Sequence, residues 1–237
     1  MDAEGKRGRG ARTTTMQARL TQLNENEILL YLGYRGQEYP PEVEAQIKRC
    51  EQEVLAAAVP RLIWRRLPVD GEYFSALPLA GKDIRELLEG CGEAVLMAVT
   101  LGQEIDRLLA RSSVSNMADA VIMDACASTA IENVADNFEM DLRRELETEK
   151  LYLTDRFSPG YGDLPLSVQG QLCAALDTQR KIGLSVSSSM LMIPGKSVTA
   201  LLGISEKPKP LRKRGCESCS LFRTCTYRRE GRNCSAG

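Results

Sequence analysis

One segment constrains the fold more than any other. From Asn116 the chain reads "NMADAVIMDACASTAIENVADNFEMDLRRELE", rich in alanine and without a single Gly or Pro. Its apolar positions recur at helical spacing, which predicts one long helix over 116–148. Small residues on such a helix let another backbone, or a ligand, approach closely. The rest of the chain must be built along this element.

The flanking sequence supplies shorter elements. A helix is predicted over 20–32, stopped by the glycines of "YLGYRGQ", and a longer one after Pro40-Pro41. Val43, Ile47, Cys50 and Val54 mark the apolar face of the second, and Pro60 is expected to end or kink it. "RLIWRRLPV" and "EYFSAL" flank Asp70-Gly71 and predict a β-hairpin. "KDIRELLEG" predicts a short helix, "EAVLMAVTLG" a buried strand and "QEIDRLLAR" another helix. A helix over 166–181 and a second hairpin, "GLSVSSSMLMI" with "SVTALLGIS" around "PGK", complete the pattern. Helices mixed with antiparallel hairpins define an α+β class. Three segments are expected: a disordered basic tail over 1–15, a main domain over 16–205, and a basic linker with a cysteine module over 206–237.

Composition excludes much chemistry. The 237 residues contain no histidine. Ser-His-Asp and Cys-His catalysis, Cys2His2 zinc and His-ligated haem or cobalt are therefore outside this chain's means. Acid–base work falls to Asp, Glu, Lys, Tyr or Cys. A net charge of −1 nominates no partner. No apolar run reaches the ~20 residues of a membrane span and no signal-peptide core opens the sequence, so a cytoplasmic location without membrane contact is expected.

The eight cysteines fall into two sets. Cys50, Cys91, Cys126 and Cys173 sit among apolar neighbours and read as small buried hydrophobes. Cys216, Cys219, Cys225 and Cys234 crowd the end of the chain with C-x2-C-x5-C-x8-C spacing. Four thiolates fit either tetrahedral zinc or a [4Fe–4S] cluster, and the spacing does not choose between them. The surrounding Lys and Arg suit an acidic redox partner, a nucleic acid or plain solvation. A nucleic-acid-binding protein with a C-terminal zinc module is thus an alternative reading.

"DRFSPGYGDLPLSVQ" comes after the long segment. Its prolines and glycines shape the backbone. Arg156 offers a planar fork for a carboxylate or phosphate, and Tyr161 an aromatic face for a base or a cation. Ser158 to Gly160 expose backbone groups able to read a purine edge. A ligand-free turn held by an Arg salt bridge fits the same residues.

A resemblance separates these readings. "RFSPGY" resembles the R-P-A-P-G-Y motif of the S-adenosylmethionine-binding activation domain of cobalamin-dependent methionine synthase, with Phe157 and Ser158 at the usual Pro and Ala. "AIENVAD" resembles that domain's helix with a ligand-contacting Glu, here Glu132. "SSMLMIPGKSV" resembles its later S-x-M…P-G-x-S-V hairpin. The likeness spans roughly residues 80–205. It implies a shallow S-adenosylmethionine groove on an α+β fold. Arg156 would contact the methionine carboxylate, Glu132 the amino acid or ribose, the Ser158 and Gly160 backbone the adenine, and Tyr161 would line the site. It also implies a role in reductive methylation of an inactive cob(II) corrinoid. With no histidine to ligate cobalt, the corrinoid must arrive on a partner, either a cobalamin-dependent methionine synthase or another corrinoid protein. A flavodoxin- or ferredoxin-type reductant would supply the electron.

Overall fold

The computed structural model describes residues 13–34, 39–209 and Arg223. In chain order it runs β1 (Thr13–Gln17), α1 (Glu25–Tyr31), α2 (Pro41–Ala57), β2 (Arg61–Pro68), α3 (Glu72–Ser75), α4 (Lys82–Leu88), β3 (Glu93–Thr100), α5 (Gln103–Ser115), α6 (Met117–Thr148), β4 (Tyr152–Leu153), α7 (Val168–Leu176), α8 (Thr178–Ile182), β5 (Ser185–Val186), β6 (Met192–Ile193) and β7 (Ser197–Ser205). The α+β class holds. Every pairing in the main sheet is antiparallel, in the order β1-β2-β3-β7-β4.

The sheet is covered on both faces, which explains why β3 reads as a nearly unbroken apolar run. Side chains alternate across the pleat. On β3, Val95, Met97 and Val99 join a core with α1, α2, α5 and α6, while Ala94, Leu96 and Ala98 join a second core with α4, α7 and α8. β7 divides the same way, with Ala200, Leu202 and Ile204 in the first core and Leu201 in the second.

α6 is the long helix the sequence requires. Asn116 caps it, its Oδ1 accepting from the Ala118 and Asp119 amides at 3.1 and 3.3 Å. Ala127, Ala130 and Ala135 are fully buried, so their small side chains do bring α6 close to its neighbours. α2 packs on it through Ile47, Cys50 and Val54 as the periodicity predicts. No described helix is long and apolar enough to cross a membrane.

Several expectations are corrected. "EYFSAL" is not a strand: it forms the short α3, and β2 pairs instead with β1 and β3. The Asp70-Gly71 turn thus leads into a helix. The second hairpin turns within "SSSML", where β5 pairs with β6, and β7 pairs with β3 and β4. The helix expected over 166–181 breaks at Asp177, which adopts the left-handed conformation at φ 55°. The helix expected over 20–32 begins only at Glu25. Thr13–Gln17 form β1, so the expected tail yields its last residues to the sheet. Residues 1–12 and the cysteine module lie outside the described residues.

Candidate functional site

The alternation that sorts the core also aims Arg156. Phe157 bridges β7, exchanging two 2.9 Å backbone hydrogen bonds with Leu201. The Phe157 ring enters the second core. Its neighbour Arg156 therefore faces the opposite side, toward α6.

There it meets three carboxylates. Arg156 Nη2 donates to Asp136 Oδ1 at 2.6 Å and Glu132 Oε2 at 3.1 Å, and Nε lies 3.4 Å from Glu139 Oε2. Residues 132, 136 and 139 share one face of α6 through i,i+4 and i,i+3 spacing. Arg143, a turn further, pairs with Glu139 at 2.6 Å and Asp155 at 3.5 Å and donates to the carbonyls of Leu153 and Thr154. Arg156 is nine-tenths buried, yet its Nη1 has no hydrogen-bond partner. Of the carboxylates, Glu132 is 40% and Asp136 56% exposed.

The loop beyond Phe157 is built to hold its shape. The Tyr161 amide donates to Ser158 O at 3.2 Å, and the Gly160 amide to Leu164 O at 2.9 Å. The Gly160 N–H is thereby committed within the turn. Gly162, at φ +54°, leaves no room for a Cβ, which would lie 2.1 Å from Asp83 Oδ2. Asp163 accepts from the Lys82 and Asp83 amides at 2.6 and 3.1 Å, fastening the loop to the start of α4. Tyr161 projects from this clamped turn, 59% exposed.

The segment that leads into α1 is tied to the same helix. The Thr21 amide and hydroxyl both donate to Asn133 Oδ1 at 3.0 Å, and Asn137 Nδ2 donates to Arg19 O at 3.2 Å. These bonds lay the N-terminal segment along α6. Tyr31 closes α1, half exposed. Its phenol is pushed up to about 12, by burial first, then by the negative charge of Glu132, and also by Tyr161, Glu27 and Asp136. Tyr31 thus lies within electrostatic reach of the acidic face of α6.

The third landmark reaches the same helix. Gly195 N donates to Asp106 on α5 at 2.9 Å. Lys196 Nζ lies 2.8 Å from both Asp124 Oδ1 and Ser128 Oγ on α6. Asp124, Ser128, Glu132 and Asp136 form one i,i+4 stripe. The "IPGK" segment and the Arg156 motif thus share a single face of α6.

The structure gathers Glu132, Arg156, Ser158, Gly160 and Tyr161 into this region. The sequence reading missed Asp136, Glu139 and Tyr31. The i,i+4 and i,i+7 spacing from Glu132 could have found the first two. Nothing local marks Tyr31, which arrives from a distant helix. Cys216, Cys219, Cys225 and Cys234 lie outside the described residues. Among those described, no group of three or more Cys, Asp or Glu could hold a metal ion. An apolar depression of about 320 Å³, lined by Val69, Phe74, Leu77, Leu79, Ile84 and Leu88, lies against the second core and includes none of the site residues.

Fold and site define a class: an antiparallel sheet covered on both faces, with a buried arginine set against a row of carboxylates on its longest helix. A solved structure shares that fold. It is the crystal structure of the MetH reactivation domain bound to AdoHcy, matched with a TM-score of 0.63 and 16% identity over 93% of this chain and 86% of that one. The chain has the reactivation-domain fold. No family model and no curated protein matches the sequence.

Proposed function

We propose that this chain binds S-adenosylmethionine in the groove between α1, α6 and the Arg156 loop. By this reading it serves as a reactivation protein for a cobalamin-dependent methionine synthase or a related corrinoid methyltransferase. The observation that carries the proposal is Arg156. A backbone bridge presents it to three carboxylates beside two tyrosines, on a fold whose solved counterpart is bound to AdoHcy.

The residues fit such a ligand. Arg156 Nη1 is the donor left for the methionine carboxylate. By this reading Glu132 and Asp136 would accept from the ammonium. Tyr161, 59% exposed, would line the ligand by the same reading. S-adenosylmethionine supplies an activated methyl group, and the chain's own residues bind and orient it. No histidine is available to ligate cobalt, so the corrinoid belongs to a partner. The cysteine tail, as zinc or [4Fe–4S], would assist docking or electron delivery from a flavodoxin- or ferredoxin-type donor. An acidic groove opposes nucleic-acid binding on this face, because phosphates are repelled there.

Titration calorimetry with S-adenosylmethionine tests the proposal. Binding is expected for the full chain and a loss of tenfold or more, about 1.4 kcal/mol or above, for Arg156→Ala. No binding by the intact chain overturns it. Reactivation of a cob(II) partner with and without this chain tests the second half. Anaerobic purification decides the tail: a colourless protein with stoichiometric zinc excludes the electron-relay role.

A further inference from the structure

We propose that Glu139 and Arg143 are positioning residues for Arg156: they hold its guanidinium in the orientation that receives a ligand's carboxylate, without touching the ligand themselves. The inference rests on the S-adenosylmethionine reading of the site. It adds to that reading two residues of α6 on which affinity for the anionic end of the ligand depends.

Three observations converge. The first is Glu139, whose side chain is 10% exposed and whose two oxygens face two different arginines. Oε1 accepts from Arg143 Nη2 at 2.6 Å, and Oε2 lies 3.4 Å from Arg156 Nε. Asp136 and Glu132 take the other end of the Arg156 fork at Nη2. The guanidinium is thus gripped at Nε and at Nη2, while Nη1 is left without a hydrogen-bond partner. The second is the backbone that carries Arg156. Arg143 Nη1 donates to Leu153 O at 2.5 Å, and Nη2 to Thr154 O at 3.0 Å. The same stretch is bonded to β7, where the Thr154 amide donates to Gly203 O at 2.9 Å and Phe157 bridges Leu201. The chain at Arg156 is therefore tied to β7 and, through Arg143, to α6. The third is burial. Arg156 is nine-tenths buried, so its charge depends on the partners that meet it there. Glu139 and Arg143 stand one turn apart on α6, and helix geometry keeps the pair in register.

An arginine fork reads a carboxylate through the direction of its N–H groups. A guanidinium free to swing must be ordered by the ligand, and that ordering weakens binding. One gripped at two nitrogens presents the third already aimed. Glu139 grips Nε. Arg143 fixes both Glu139 and the backbone before Arg156.

The test is calorimetry on the full chain with S-adenosylmethionine and its decarboxylated form, which keeps the sulfonium and the adenosine but lacks the carboxylate. Glu139→Gln and Arg143→Gln are each expected to lower affinity for S-adenosylmethionine about five- to tenfold and to change the decarboxylated ligand by less than about twofold. The two substitutions change the local charge in opposite directions, so a loss common to both variants reports orientation and not charge. In an Arg156→Ala background each is expected to change affinity for S-adenosylmethionine by less than about twofold, because nothing is left to position. Wild-type affinity in either variant overturns the inference while the S-adenosylmethionine reading stands. So does an equal loss of both ligands, which is what a general loosening of the fold would give. Failure of the intact chain to bind S-adenosylmethionine removes both. If the glutamine variants do not fold, Glu139→Asp and Arg143→Lys, which keep the charges but not the reach or the fork, decide the matter by the same comparison of ligands.

Discussion

At the scale of single residues, the α6 cap and the β7 glycine carry separable energies. Asn116 satisfies two amides at the start of α6. Asn116→Ala is expected to cost about 1 kcal/mol in urea unfolding, with an unchanged denaturant slope. Gly203 offers a sharper test. A Cβ there would lie 2.6 Å from Cys91 Sγ, 3.2 Å from Thr154 Cγ2 and 3.3 Å from Leu88 Cδ2. Gly203→Ala is expected to destabilise by roughly 1–3 kcal/mol, as overpacking does. Cys91→Ala should recover part of that loss, so a double-mutant cycle will show favourable coupling. An additive cycle would place the strain on Thr154 or Leu88.

At the scale of elements, α6 was the most legible part of the chain, because helical periodicity without Gly or Pro has few alternatives. β3 was legible for a similar reason: only a doubly covered strand uses so unbroken an apolar run. The two predicted hairpins failed because a turn signal marks a reversal of the chain without fixing the conformation of the next segment. Asp70-Gly71 does precede a change of direction, but the strand's partners are β1 and β3, which local sequence does not reveal. Of the site, Arg156 and Tyr161 were marked by a shaped loop, and Glu132 by resemblance. Tyr31 was not legible, since only the packing of α1 on α6 brings it there. The close approach that α6 permits is itself testable. Ala130 is fully buried, and Ala130→Leu is expected to cost roughly 1–3 kcal/mol by thermal or urea unfolding. Wild-type stability in that variant would mean that α6 can shift outward freely.

For the whole molecule, the buried thiols set the response to alkali. Burial raises Cys126 from an ordinary 9.0 to about 12, with Cys50 and Glu51 adding to it. Burial, then the Asp119 charge, raises Cys50 to about 11. Burial raises Tyr31 from 10.0 to about 12. Between the ordinary and raised values the folded protein holds protons that the unfolded chain gives up, so stability must fall with rising pH. The decline is expected to begin near pH 9 and steepen toward 11 to 12, as read by urea midpoints. Alkylation of the native protein at about pH 8 should spare Cys50, Cys126 and Cys173, because burial holds all three as thiols. Rapid labelling of Cys126 would contradict the core packing.

The strand order has a further consequence during synthesis. β7, the last of the described strands to be made, inserts between β3 and β4. A ribosome reaches Ser197 only after roughly 100 more residues beyond β3, about 5–20 s at ~5–20 residues per second. Throughout that interval one edge of "EAVLMAVT" lacks the neighbour it has in the finished sheet, and an unpaired apolar edge invites other strands. Shielding of the growing chain until β7 emerges is therefore expected to raise the yield of folded protein.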